Sequence, residues 1–312
     1  MGLKKQHNQN SNIKTLDLHF QGLPRTIASY LIPHQQGAIL IESGPSSTLP
    51  YLKAGLSMHD LTPDDITDVL LTHIHLDHAG AAGWLAHHGA RIHVHHIGAP
   101  HMTNPEKLLS SAERIYGDQM KPLWGEFLPV PSEKIRILQD NDLIYINGLQ
   151  IRALDTPGHA YHHMAYIFQD VCFCGDIGGV RIDQGLPHIR VPMPPPEFDL
   201  DKWRVSLERL RNEDFKCIAP THFGVYTNSE WHLEFLNTAL DEVQDWMEVT
   251  MPQDPSLHEL RNIFTDWSKE RSLEAGLKDE WLLAFETVNP SWMSADGIRR
   301  YWYKQYQKTD LR

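Results

Sequence analysis

The segment His73-Ile74-His75-Leu76-Asp77-His78 constrains this chain more than any other feature. It places three imidazoles and a carboxylate within six residues. It lies between an apolar run, Asp68 to Thr72, that reads as a buried strand and a helix expected from about His78 to His88. At the chain's own His and Asp frequencies, H-x-H-x-D-H is expected by chance in only ~0.006 places. Alternation at a strand end aims His73 and His75 to one side, and the turn that follows redirects Asp77 and His78. Imidazole and carboxylate together suit Zn²⁺ in a tetrahedral or slightly expanded shell.

Three later segments offer one further donor each at the end of an apolar strand, beside a glycine that lets the backbone turn. Thr156-Pro157-Gly158-His159 follows LQIRALD, Cys174-Gly175-Asp176 follows DVCF, and Thr221-His222-Phe223-Gly224 follows FKCIA. Singly each is an ordinary loop residue. Together, and in this order, they complete a candidate metal site.

Composition narrows the class. The 312 residues are 41% hydrophobic and 22% charged, which excludes a disordered chain, a fibrous repeat and a coiled coil. A net charge of −12 repels phosphate backbones, so no nucleic-acid partner is expected. Three cysteines make no disulfide framework, and Cys172 and Cys174 read as packing on an apolar strand. The polar first 12 residues read as a frayed tail without a secretory signal, and Gln6 breaks the myristoylation pattern after Gly2. No stretch approaches the ~20 apolar residues of a membrane span. A cytoplasmic protein with no membrane partner is the expectation.

Short β-rich runs between Ile13 and Glu42 read as consecutive antiparallel strands. A helix fits 47–57, and Arg91 to His95 reads as a strand. A helical insert at about 97–133 interrupts the rhythm before strands resume at IRIL, LIYING, LQIRALD, HMAYIF and DVCF. Leu200 to Arg211 reads as an amphipathic helix and Phe215 to Ala219 as a strand. This order suits two sheets covered by helices, an α+β fold. Residues 1–226 are assigned to a catalytic domain and 227–312 to a helical C-terminal extension, with helices at 229–251, 255–275 and 291–308. Six of nine tryptophans lie in the extension, where they either pack on the core or form a homodimer face.

The stretches ILIESGPSS, THIHLDHAG, TPGHAYHHMAYIF, CGD and THFG, in this order, resemble the metallo-β-lactamase superfamily over roughly residues 13 to 226. The resemblance implies a four-layer αββα sandwich with the site at one edge of the sheets. It also implies two Zn²⁺, with Fe or Mn as substitutes. His73, His75 and His159 would hold one ion, Asp77, His78 and His222 the other, and Asp176 would bridge them. Histidine rather than glutamate at position 75 argues against the flavodiiron branch. Where the family often has Asp-x-Gly, this chain has Glu42-Ser43-Gly44; Glu42 and His163 are expected behind the ligands.

Two such ions lower the pKa of a bridging water and present it as hydroxide to a carbonyl. The expected activity is therefore cleavage of an ester, thioester or lactone of a small molecule, as in the glyoxalase II and lactonase-like members, with Asp77 also orienting the nucleophile and handling its proton. The alternatives are an iron-dependent sulfur dioxygenase on the same fold, a phosphodiesterase, and a metal-binding scaffold. Tyr161, Phe223 and Tyr226, close to ligands in sequence, are candidate pocket liners. Whether insert and extension build a partly apolar pocket or an interface stays open. His93, His95 and His96 are assigned a structural or surface role, His87 and His88 a helix end, and His101 and His162 none.

Overall fold

The computed structural model describes residues 12–182 and 185–309. Gly2 and the expected polar tail, Asn12 apart, lie outside the described residues.

The chain opens with β1 (Lys14–Asp17), β2 (Ala28–His34) and β3 (Gly37–Ile41), joined as an antiparallel meander. Helix α1 (Leu49–Ser57) crosses to β4 (Ile66–Leu70), which pairs parallel to β3. Two short helices, α2 (Leu76–Ala79) and α3 (Ala82–His87), lead to β5 (Arg91–His95). The insert carries α4 (Ala99–Thr103), α5 (Glu106–Tyr116) and α6 (Met120–Trp124) before β6 (Ile135–Leu138) closes the first sheet in parallel with β5. The second sheet is built from β7 (Leu143–Ile146), β8 (Leu149–Asp155), β9 (Met164–Phe168) and β10 (Val171–Phe173), then β11 (Cys217–Ala219) after helix α7 (Leu200–Arg211). Its order is β11-β10-β9-β8-β7, and the first sheet runs β1 to β6 in chain order. Helices α8 (Ser229–Thr250), α9 (Leu257–Glu274), α10 (Asp279–Val288) and α11 (Ser291–Thr309) complete the described chain.

Three apolar layers hold these parts together. Between the sheets, Tyr30, Ile39, Ile41 and Leu70 meet Ile151, Ala153, Tyr166 and Phe173. The outer face of the first sheet packs on α1, α3 and the insert through Leu40, Val69, Leu52, Leu85 and Met102. The outer face of the second packs on α7, α8, α9 and α11 through Cys172, Trp203, Leu236, Phe264 and Ile298. Strands β3 and β4 are buried on both faces, which is why they read as unbroken apolar runs. This is the expected αββα arrangement with a helical C-terminal region. Among the described residues no helix is long and apolar enough to cross a membrane.

Two local expectations change. The helix read from His78 to His88 is broken after Ala79, at Gly80, where the backbone approaches so closely that an added Cβ would stand 2.8 Å from Pro45 Cα and 2.5 Å from the Leu76 carbonyl oxygen. The Ser43–Ser46 loop thus presses into the turn. Helix α10 was not foreseen. Its buried residues are few, Ala284 and Phe285, so its apolar periodicity is weak in the sequence.

Candidate metal centre

Each motif leaves a strand and turns toward one point. The His73–His78 loop follows β4, His159 follows β8, Asp176 follows β10 and His222 follows β11. Three sets of donor atoms come within 4.8 Å of one another: His73, His75 and His159; His73, His78 and Asp176; and Asp77, His78 and His222. All seven expected donors therefore converge.

In the first set, His75 Nδ1 lies 3.0 Å from His73 Nε2 and 2.9 Å from His159 Nε2. On the other side, Asp77 Oδ2 is 3.5 Å from both His78 Nε2 and His222 Nε2. Asp176 spans the gap. Its Oδ2 is 3.3 Å from His159 Nε2, and its Oδ1 is 3.2 Å from His78 Nε2 and 3.5 Å from His222 Nε2. His78 Nε2, His222 Nε2 and Asp176 Oδ1 are buried without a hydrogen-bond partner. Buried polar atoms are normally paired, so orphans that face one another mark a place for cations. The donor set fits a dinuclear site with nitrogen and oxygen ligands.

The far side of each ring fixes its orientation. His159 Nδ1 donates to the Pro192 carbonyl at 2.9 Å and His222 Nδ1 to the Thr26 carbonyl at 2.7 Å. His73 Nδ1 lies 3.1 Å from Thr72 Oγ1, and His78 Nδ1 is 3.2 Å from Glu42 Oε1. With Nδ1 carrying the donated proton, Nε2 of each of these four rings is turned to the centre, whereas His75 presents its Nδ1. Glu42 is wholly buried and sits in the left-handed backbone region at φ 69°. It also accepts from the Thr72 hydroxyl and, at 3.2 Å, from that of Thr221. The longer side chain at this position is therefore accommodated, and its carboxylate reaches His78. His163 lies beneath His73, ring centres 5.1 Å apart, with Nδ1 2.9 Å from Thr156 Oγ1 and Nε2 3.4 Å from the Ile177 amide. It packs against the Asp176 turn.

Electrostatics separate the donors. Burial lowers His73, His75 and His159, the last to about 4, so all three are neutral near pH 7. Burial also disfavours charge on Asp77, but His78 and His222 outweigh it and hold that carboxyl at about 2. Asp176 is lowered too, against its burial, by His78, His159 and His222. His78 and His222 are raised despite burial, chiefly by Asp176.

A cavity of about 880 Å³ opens on the cluster, with His75, Asp77, His159 and Asp176 in its lining. The insert and the C-terminal helices build its sides. Tyr161, Phe223 and Tyr226 do not line it. Tyr161 holds Lys304 Nζ at 2.6 Å. Phe223 packs between the sheets, and the Tyr226 hydroxyl donates to the Arg181 carbonyl. Sequence proximity to a donor does not bring these rings into the cavity, because each is engaged elsewhere in the fold. His101 and His162, given no role, do line the cavity, as does Tyr116. His93 pairs with Asp68 at 2.7 Å and His95 with Asp155 at 3.2 Å, while His96 is exposed. Thr26, Thr72 and Pro192 were missed as supports of the donors; Thr72, directly before the motif, was the one within reach of pattern reading.

Known proteins of related sequence and shape agree with this architecture. The chain is 26% identical over 206 residues to the metallo-beta-lactamase fold-containing protein ST1585 of Sulfurisphaera tokodaii, covering 65% of this chain and 74% of that one. It is 30% identical over 162 residues to a hydroxyacylglutathione hydrolase of Aeromonas hydrophila, and there it spans only about half (50%) of the relative's length and 51% of its own. The structure of the metallo-beta-lactamase family protein TTHA1429 from Thermus thermophilus superposes with a TM-score of 0.60 at 20% identity, covering 95% of this chain and 94% of that one. The family model of the metallo-beta-lactamase superfamily matches residues 22–222, and the chain belongs to that superfamily.

Proposed function

We propose that this protein is a dinuclear zinc hydrolase that cleaves an ester, thioester or lactone of a small molecule. The observation that carries the reading is the pair of three-donor groups, His73/His75/His159 and Asp77/His78/His222, with Asp176 between them facing both, at the floor of one cavity. His73, His75 and His159 would hold one ion, Asp77, His78 and His222 the second, and Asp176 both. Two such cations, when bound, supply an activated water and polarise a carbonyl.

The chain's own part is to orient and to exclude. Asp77 lines the cavity beside His78 and His222 and is assigned to orient the attacking water. Its carboxyl, held at about 2 by His78 and His222 against its burial, is ionised and can accept a hydrogen bond from that water. Glu42, Thr26 and Pro192 keep the donor rings from rotating. A relative named for hydrolysis of hydroxyacylglutathione supports a thioester or related acyl bond. The second group of donors speaks against a single-iron dioxygenase.

The test is metal-quantified protein assayed on lactones, thioesters, phosphodiesters and persulfides. Two zinc per chain with turnover of an acyl substrate is the expected result; one iron with oxygen uptake on a persulfide overturns it. In the same assay Asp176→Ala is expected to lower metal content and hydrolysis together, while the cooperative unfolding transition persists. Retention of two ions by that variant contradicts the bridging role.

A further inference from the structure

The cavity over the cluster is unlike a site for a charged carrier. Two walls from distant parts of the chain form it. Leu108, Ile115 and Trp124 come from α5 and α6; Leu283, Trp292 and Met293 come from α10 and α11. The walls touch where the Tyr116 hydroxyl lies 3.9 Å from Met293 Sδ. Its size falls in the range that encloses a drug-sized ligand, about 300–1,000 Å³.

Charge in this lining is scarce or already engaged. Lys107 is its one lysine or arginine among the described residues, and it is exposed. Glu197 accepts from the Tyr161 amide at 2.8 Å and stands 3.5 Å from His162 Nε2. Glu286 accepts from Arg190 at 2.5 Å and from the Ser291 hydroxyl at 2.6 Å. Outside the metal cluster, then, the walls offer carbon surface with almost no cationic partner for a carboxylate or phosphate. A buried unpaired anion there would lose its hydration without compensation.

We infer that this cavity binds the uncharged apolar acyl or aryl part of the substrate, an extended chain or ring system, laid between the insert and the C-terminal helices. The inference rests on the hydrolase reading for the bond that is cut, but the binding itself needs only the walls. It makes α10 and α11 the elements that select the substrate. Burying each methylene contributes about 0.8 kcal/mol, or three- to fourfold in binding or in kcat/KM.

Two measurements on the full chain test this. In the first, zinc-loaded protein hydrolyses a series of 4-nitrophenyl esters from ethanoyl to decanoyl, together with an ester of decanedioate that keeps a free terminal carboxylate. We expect kcat/KM to rise about threefold per methylene over the middle of the series, and the charged ester to fall well below decanoyl. In the second, calorimetry follows decanamide binding to metal-free protein. Leu283→Glu and Ile115→Glu, both at well-exposed positions of the walls, are expected to weaken that binding at least about tenfold. They should also flatten the chain-length dependence. Hydrolysis with a flat or falling dependence, or equal use of the charged ester, overturns the inference and leaves the hydrolase reading standing. Absent hydrolysis of every ester, with decanamide binding that both variants weaken, upholds the apolar site and overturns the ester-hydrolase reading.

Discussion

At the scale of single residues, the candidate metal centre is held in place by groups outside its seven donors. Glu42 is the clearest. Its carboxylate faces His78 Nδ1 at 3.2 Å and accepts from Thr72 and Thr221, so one buried charge fixes a donor ring and two strand ends. Glu42→Gln keeps an acceptor oxygen for Thr72 and removes the charge behind His78. Partners of this kind are worth roughly 10–100-fold in metal affinity. We expect the second zinc to bind that much more weakly, measured by chelator competition, with an unchanged far-ultraviolet spectrum. Unaltered affinity for both ions removes Glu42 from the account. Asp68 shows the same principle away from the site. It is wholly buried, and despite burial His93 and Arg91 hold its carboxyl at about 2. A folded pKa below the usual ~3.9 contributes stability that is present above about pH 4 and is lost as pH falls toward 2. The drop is worth about 2 kcal/mol, so Asp68→Asn should lower the urea-unfolding free energy by about that much at pH 7. The gap should stay constant down to about pH 4 and close below it. A gap that closes well above pH 4 overturns this account of Asp68.

At the scale of elements, what could be read in the sequence was what local rules govern. The strands that end in donors are short apolar runs followed by turns, and both signals sit within a few residues. Leu200 to Arg211 shows its helical period plainly and is capped by Asp199, whose Oδ1 accepts from the Lys202 amide at 3.2 Å. The cavity was not legible in the same way. Its walls are α5–α6 and α10–α11, more than 150 residues apart, and nothing in either stretch announces the other. Tyr161, Phe223 and Tyr226 lie beside donors along the chain, yet their rings are used elsewhere. What joins the second wall to the centre is a close approach at Gly297 in α11. A Cβ there would stand 2.0 Å from the Met193 carbonyl oxygen. The same loop carries Pro192, whose carbonyl orients His159. Gly297→Ala must therefore push α11 off the loop, an overpacking that costs about 1–3 kcal/mol. We expect a lower denaturation midpoint together with weaker binding of the first zinc. A variant as stable as the parent shows that the loop yields freely.

At the scale of the whole molecule, the fold gathers a concentration of charge in its interior that protons or cations must balance. The chain already carries a net charge of −12, and Asp77 and Asp176 are ionised in its interior. In the metal-free protein, protons on His78 and His222 answer those carboxylates, and both groups are raised above the usual imidazole range. A raised folded pKa contributes stability that is complete below about pH 6.5 and is lost as pH climbs through the folded value. His73 and His159 work the other way. Burial depresses them, so the metal-free fold also weakens as the pH falls below about 6.5, where the unfolded chain takes up their protons. Metal-free protein should thus be most stable near that pH. A cation bound by His78 and His222 would replace those protons, so on the zinc reading proposed above its binding strengthens as pH rises. An ion present at about a thousand times its dissociation constant adds roughly 4 kcal/mol to the folded state. The rise in unfolding midpoint on adding zinc should therefore be larger at pH 8.5 than at pH 6.5, in scans at matched free metal. An increment that does not change between those two values means that no proton leaves the site when the ions enter. His78 and His222 would then already be neutral, and the balance of charge drawn here would be wrong at its centre.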